Sequence, residues 1–183
     1  MILKDIDPTS QPSFSLGNRL ARLTWSLVYV FLFRPSPRPL HAWRAFLLRC
    51  FGAKVGAGCH VYGKARIWAP WNLELGERVG VADDAILYSM GPIVLGDYAV
   101  VSQGAHLCAG SHDYNSPNFQ LYAKPIRVGA KAWICAEAFV LPGVEIPEGA
   151  VIGARAVVPK SLAEPWAVYA GHPCLKVAER NKH

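Results

Sequence analysis

The chain has 183 residues, of which 52% are hydrophobic and 17% charged, and its formal net charge is +6. That suffices for one domain with its own core plus an appendage. Its 16 glycines and 14 prolines follow no collagen-like period, so they indicate many tight turns rather than a fibre or a disordered chain. The basic surface would suit nucleic acid, anionic lipid or a phosphorylated ligand, but no run of five Lys or Arg and no nucleic-acid-reading motif occurs. No nucleic-acid partner is therefore expected.

The five cysteines are Cys50, Cys59, Cys108, Cys135 and Cys174. An odd number without a C-x-x-C pair argues against a disulfide scaffold or structural zinc and fits a reducing cytoplasm. Met1–Gly17 lacks the pattern of a signal peptide.

In chain order, Asp5–Ser15 is rich in Pro, Ser, Asp and Gln and reads as a loose arm. Leu16–Phe33 is a predicted helix, with Arg19 and Arg22 early and large apolar residues after. Its apolar stretch, Leu23–Phe33, is too short to cross a bilayer, which needs about 20 residues. Arg34-Pro35-Ser36-Pro37-Arg38-Pro39 breaks the helix, because proline removes backbone donors and fixes φ. A second helix is predicted over Leu40–Phe51, with Gly52 just past its end. Trp25, Tyr29, Phe31 and Phe33 lie near Arg34 and Arg38, a combination suited either to a membrane surface, such as the inner face of the membrane, or to packing on the rest of the chain. The arm and helices form a unit over 1–53.

From Val55 a period of six takes over. Aliphatic residues fall at Val55, Val61, Ile67 and Leu73, then at Leu75, Val81, Leu87 and Ile93, then at Leu95, Val101 and Leu107. The clearest run is Val128, Ile134, Val140, Ile146, Ile152 and Val158. Four residues further on the chain is small, as at Cys59, Ala65, Ala85, Ala99, Ala105, Ser111, Ala132 and Ala138. Glycine often follows the aliphatic residue, as at Gly56, Gly76, Gly96 and Gly129. A six-residue period matches neither a helix nor a hairpin sandwich. It suits a short strand plus a corner, three to a coil, with coils stacking like residues into ladders. The predicted fold is an all-β solenoid over 54–183, a left-handed parallel β-helix of hexapeptide repeats closed by a short C-terminal helix. The phase breaks between His112 and Val128, so 113–127 reads as an inserted loop, and long insertions in regular scaffolds are usually functional.

These features resemble the hexapeptide-repeat acyltransferases, and among them the colanic-acid-biosynthesis type. The resemblance is carried by Phe33-Arg34-Pro35-Ser36-Pro37, Ile67-Trp68-Ala69-Pro70-Trp71-Asn72-Leu73, Ser111-His112-Asp113, Pro117-Asn118-Phe119, Gly153-Ala154-Arg155-Ala156 and Ala170-Gly171-His172-Pro173. It implies transfer of an acetyl group from acetyl-CoA to a sugar hydroxyl, in the synthesis of exopolysaccharide or another surface polysaccharide. It also implies a homotrimer with sites between neighbouring solenoids, to which outward aromatics such as Trp68, Trp133 and Phe139 would contribute. The acceptor would be a saccharide, either free or lipid-linked.

The resemblance makes His112 the general base, since imidazole exchanges a proton near neutral pH. Asp113 either orients that ring or shapes the loop. The backbone N–H of Ala136 would hold the oxyanion, and that of Ala154 would contact coenzyme A. Trp133 either walls the pantetheine channel or fills a trimer contact. Arg155, Lys160 and Lys176 are the cations available to the phosphates. Asp83, Asp84, Tyr88, Tyr114 and Asn115 are the polar groups available to the acceptor. No metal is expected. A zinc-dependent γ-carbonic-anhydrase-like enzyme would need three converging histidines, and His106 and His112, six apart, fall on successive faces. A non-enzymatic structural or lipid-surface-binding solenoid would need neither the insertion nor the Gly-x-Pro close.

Overall fold

The computed structural model describes residues 2–3, 7–8 and 10–182. Asp5, where the expected arm begins, lies outside them. Nearby, Ile2 bridges Phe14 in antiparallel fashion, so the described part of the arm doubles back on itself.

The body is the expected left-handed parallel β-helix, a three-sided prism. Face one stacks Lys54–Val55, Leu73–Leu75, Ile93–Leu95, Ile126–Val128 and Glu145–Ile146. Face two stacks His60–Val61, Gly80–Val81, Val100–Val101, Trp133–Ile134, Val151–Ile152 and Ala167–Ala170. Face three stacks Arg66–Ile67, Ile86–Tyr88, His106–Cys108, Phe139–Val140 and Val157–Val158. The first corner joins faces one and two, the second joins two and three, and the third returns from three to one.

The period of six works because like positions meet between coils. Val61, Val81, Val101, Ile134 and Ile152 stack down face two, each 0% exposed. Burial of such side chains contributes on the order of 2 kcal/mol each. The small residues sit where two faces converge, and Ala65, Ala85, Ala105 and Ala138 are fully buried there. The glycines after the aliphatics answer to close backbone approach at the first corner. A Cβ on Gly56 would fall 2.4 Å from the carbonyl oxygen of Gly76 in the next coil.

Coil length is not constant. Val55 pairs with Leu75 and Leu75 with Leu95, 20 residues per coil, whereas Val128 pairs with Ile146, 18 residues on. The extra residues lie at the third corner, where Pro70–Asn72 forms a 3₁₀ turn. Asn72 Nδ2 donates to the carbonyls of Ser89 (2.8 Å) and Met90 (3.0 Å), tying this corner to the one below. The large insertion leaves from the same corner. It is a β-hairpin in which Gly110–His112 pairs antiparallel with Leu121–Ala123. Ser111, expected at a corner, therefore lies in a hairpin strand, and Ile126 is already back in face one opposite Ile93.

Two helices close the N-terminal end of the prism. Helix α1 spans Leu16–Val28, with Ser15 Oγ accepting from the Asn18 N–H, and continues as a π-helical turn over Tyr29–Phe33. Buried Trp25 and Phe33 face the first coil, and Trp25 Nε1 donates to the Ile67 carbonyl at 2.8 Å. Helix α2 spans His41–Cys50 and buries Leu47 and Leu48. At the other end the structure corrects one expectation. Among the described residues no C-terminal helix forms; Leu175–Glu179 is a strand, antiparallel to Ala167–Ala170. The last coil of face two would otherwise present unpaired backbone groups, and this strand satisfies them.

Candidate active site

The hairpin sets His112. Its strand pairing with Leu121 places the ring beside Phe119, whose φ of +50° turns the chain at the end of the tip. His112 Nδ1 lies 2.9 Å from the Phe119 carbonyl oxygen, and the two rings stack with centroids 4.4 Å apart and planes 10° from parallel. A carbonyl only accepts, so Nδ1 carries the proton and Nε2 is left with its lone pair. Asp113 does not touch the ring. Its Oδ1 accepts from the Asn115 N–H at 3.0 Å, and its backbone N–H donates to Gln120, so it shapes the tip. Tyr114 is 83% exposed at that tip.

Ala136 and Ala154 stack at the second corner, one coil apart, as the hydrogen bond from the Arg155 N–H to the Ala136 carbonyl shows (2.9 Å). Each is the second residue of a tight turn whose third residue is left-handed, Glu137 at φ 58° and Arg155 at φ 59°. The closing bonds run from Ala138 to Cys135 (3.3 Å) and from Ala156 to Gly153 (3.1 Å). Such a turn uses the N–H of its fourth residue and leaves that of its second free. Neither the Ala136 nor the Ala154 N–H has a partner among the described residues.

Within one chain His112 and Ala136 are not neighbours. The hairpin springs from the third corner and Ala136 lies on the second, with the width of face three between them. Asp83 and Asp84 share the second corner two coils earlier. Asp83 is engaged there by Arg38 at 2.9 Å and by the Lys64 N–H at 3.1 Å, so it ties the proline-rich link to the prism. Tyr88 lies on face three near the root of the hairpin, packed against Trp68 and His106, and burial pushes its phenol up. The five acceptor candidates thus fall into three separate places.

Trp133 stands out from face two, 45% exposed, with Nε1 donating to Ser102 Oγ at 2.9 Å. It walls a groove of about 420 Å³ together with Tyr98, Val100, Lys131, Trp166 and Arg180. The Lys131 ammonium and Arg180 guanidinium sit over the Trp166 ring, 5.7 and 5.5 Å from its centroid. Sequence reading missed Lys131, Trp166 and Arg180. Arg180 reaches the groove only because the final strand folds back, its N–H donating to the Trp166 carbonyl.

Of the cations read from sequence, Arg155 pairs with Glu137 at 2.6 Å on the exposed second corner. Lys160 is exposed near the end of the last full coil. Lys176 is held by Glu164 and Glu179, which raise its pKa above the ordinary lysine value, so its charge is already answered. Trp68 is covered by Phe14 (5.2 Å between centroids) and by the Arg22 guanidinium (4.5 Å), which leaves less of it for a partner than its outward position implied. Among the described residues no three His, Cys, Asp or Glu side chains converge as metal ligands. Burial raises the pKa of the Cys108 and Cys135 thiols, which opposes the thiolate that a covalent route would need.

No family model matches the chain. It is 42% identical over 179 residues to the putative colanic acid biosynthesis acetyltransferase WcaF of Escherichia coli K12, covering 97% of this chain and 98% of that one. Among solved structures, a maltose O-acetyltransferase from Clostridium difficile superposes with a TM-score of 0.83 at 23% identity, over 92% of this chain and 90% of the other. A hexapeptide-repeat acetyltransferase from Vibrio cholerae, complexed with acetyl-CoA, gives a TM-score of 0.81 at 18% identity, over 92% and 91% of the two chains. These two likenesses establish the shared prism.

Proposed function

The chain belongs to the hexapeptide-repeat acetyltransferases of the colanic acid biosynthesis type, and from that premise we propose that it moves an acetyl group from acetyl-CoA to a sugar hydroxyl of a surface polysaccharide. The observation that carries the mechanism is the hydrogen bond from His112 Nδ1 to the Phe119 carbonyl, which leaves Nε2 as a base. A sugar hydroxyl is a weak nucleophile until its proton departs during attack. Nε2 takes that proton as the oxygen adds to the thioester carbonyl. The negative charge then on the former carbonyl oxygen is met by the unpaired Ala136 N–H. Collapse breaks the C–S bond, and the imidazolium returns the proton to the departing sulfur. The thiol of coenzyme A and the acetyl ester leave.

Since His112 and Ala136 stand on opposite edges of face three, the hairpin of one copy serves the second corner of a neighbour, and the working unit is a homotrimer. The groove beside Trp133 takes the pantetheine arm. Lys131 and Arg180, which line the groove, meet the phosphates, and Ala154 contributes its N–H. Tyr114 and Asn115, carried on the hairpin tip with His112, reach the acceptor from one copy, and Asp83 and Asp84 lie on the second corner that the neighbour presents to it.

His112→Ala should lower kcat by about 10²–10⁴-fold, the usual contribution of acid–base catalysis, with acetyl-CoA affinity and circular dichroism unchanged. Near-normal turnover in the variant would overturn the mechanism, and light scattering from an active monomer would overturn the shared site.

A further inference from the structure

We propose that the outer face of the two N-terminal helices is a docking surface for a bilayer containing anionic phospholipid. The inner faces of these helices already have their partner, the first coil of the prism. Their outer faces have none among the described residues. Leu20, Leu23 and Leu27 lie at helical spacing along α1 and are 55%, 58% and 53% exposed. The stripe runs on through Phe31, 70% exposed, and passes to α2, where Trp43 Nε1 donates to the Leu32 carbonyl at 3.1 Å. Trp43 stacks on Phe46, itself 53% exposed. A continuous apolar stripe of this kind is uncommon on a surface that faces only water.

Charge selects the occupant. No Asp or Glu occurs between Asp7 and Glu74, a stretch that carries Arg19, Arg22, Arg34, Arg38, Arg44, Arg49, Lys54, Lys64 and Arg66. Arg19 is exposed on α1 one turn from Leu23, and Arg34 is exposed at the end of the π-helical turn just past Phe31; neither has a carboxylate partner among the described residues, whereas the Arg49 guanidinium is turned to the Val55 and Gly56 carbonyls of the first coil. A second copy of the same face would set cation against cation. An anionic lipid surface meets both features at once: leucines and aromatics enter the acyl boundary while guanidinium groups lie at the phosphates. No described helix is long and apolar enough to cross a membrane, so the contact is to one leaflet.

The test uses the whole chain and reads binding without activity, so it stands apart from the acetyltransferase reading. Sedimentation is compared with vesicles of phosphatidylcholine alone and of phosphatidylcholine with phosphatidylglycerol in equal parts. Binding is expected to the anionic vesicles only, weakening with salt. The triple variant Leu23→Ser, Phe31→Ser, Phe46→Ser should bind about tenfold more weakly, and Arg19→Gln, Arg34→Gln should lose most of the preference for anionic lipid. All five side chains are exposed, so the fold is retained. No binding by the unaltered protein, or binding by both variants as tight as that of the unaltered protein, would overturn the proposal. So would self-association in light scattering that the triple variant abolishes while vesicle binding stays absent.

Discussion

Among single residues, His106 sits in an environment that opposes its charged form. It lies on face three against Tyr88 and Phe139, and its Nε2 is buried without a hydrogen-bond partner among the described residues. Burial, aided by the Arg66 charge, lowers its pKa. The unfolded chain therefore binds a proton more readily than the folded one. Stability that depends on neutral His106 is complete above the unfolded value of about 6.5 and is lost as pH falls through the lower folded value. His106→Phe should flatten the decline of Tm between neutral and mildly acidic pH and leave turnover near normal. An unchanged pH slope in that variant would show that other groups govern it. His106 and His112 are alike in the sequence, each at the edge of an aliphatic run. What separates them is that one faces a packed wall and the other a carbonyl on a hairpin tip. The position of His112 at the insertion was legible, because the break in phase marks it. The Phe119 carbonyl that fixes its tautomer was not, since no pattern announces a backbone contact seven residues away.

At the scale of elements, the proline-rich link between the helices is held by an internal arginine. Arg44 is 0% exposed, yet among the described residues none of its hydrogen bonds goes to a carboxylate. Its guanidinium donates to the carbonyls of Val61 (2.6 Å), Pro37 (2.9 Å) and Arg38 (2.6 Å) and to Ser36 Oγ (2.8 Å). Proline-rich segments lack donors of their own, and a fork of N–H groups from α2 answers their unpaired carbonyls. Arg44→Ala should cost roughly 3 kcal/mol, because several buried acceptors are left without donors. Denaturant unfolding would measure it, and Arg44→Lys, which cannot reproduce the fork, should recover only part. Both helices were legible from their apolar spacing and proline break. The role of Arg44 was not, because an arginine in an amphipathic helix reads as a solvated charge. The C-terminal strand failed for a related reason. Leu175-Lys176-Val177-Ala178-Glu179 contains good helix formers, but an unpaired sheet edge overrode their local preference.

For the molecule as a whole, stacking makes each coil depend on its neighbours, and this is why the repeat was so readable. A periodic interior repeats its instruction at every coil, whereas the hairpin, the groove at Trp166 and the helix cap are each specified once. The same stacking gives the prism two unlike ends. The helices plug the first. At the second, face two is covered by Leu175–Glu179, while faces one and three are covered by turns alone: the Leu162 N–H donates to the Glu145 carbonyl (3.0 Å) and the Glu145 N–H to Ser161 Oγ (2.9 Å), and the Val157 N–H donates to the Gly171 carbonyl (3.1 Å) and the Cys174 N–H to the Val157 carbonyl (2.9 Å).

A parallel β-prism is in principle a polymer seed, since its last coil is a template for another. Here only one end lies behind so thin a covering. Deleting 175–183 would bare the Ala167–Ala170 edge, but the helix plug still blocks the opposite end of every molecule. Uncapped chains can then join only tail to tail, and growth stops after one such joint. Gel filtration of the truncated protein should show a doubling of the assembly, and electron microscopy should show short paired rods. Long fibres would require the helices to be removed as well. The plug at the start of the chain thus bounds the length of anything the solenoid can build.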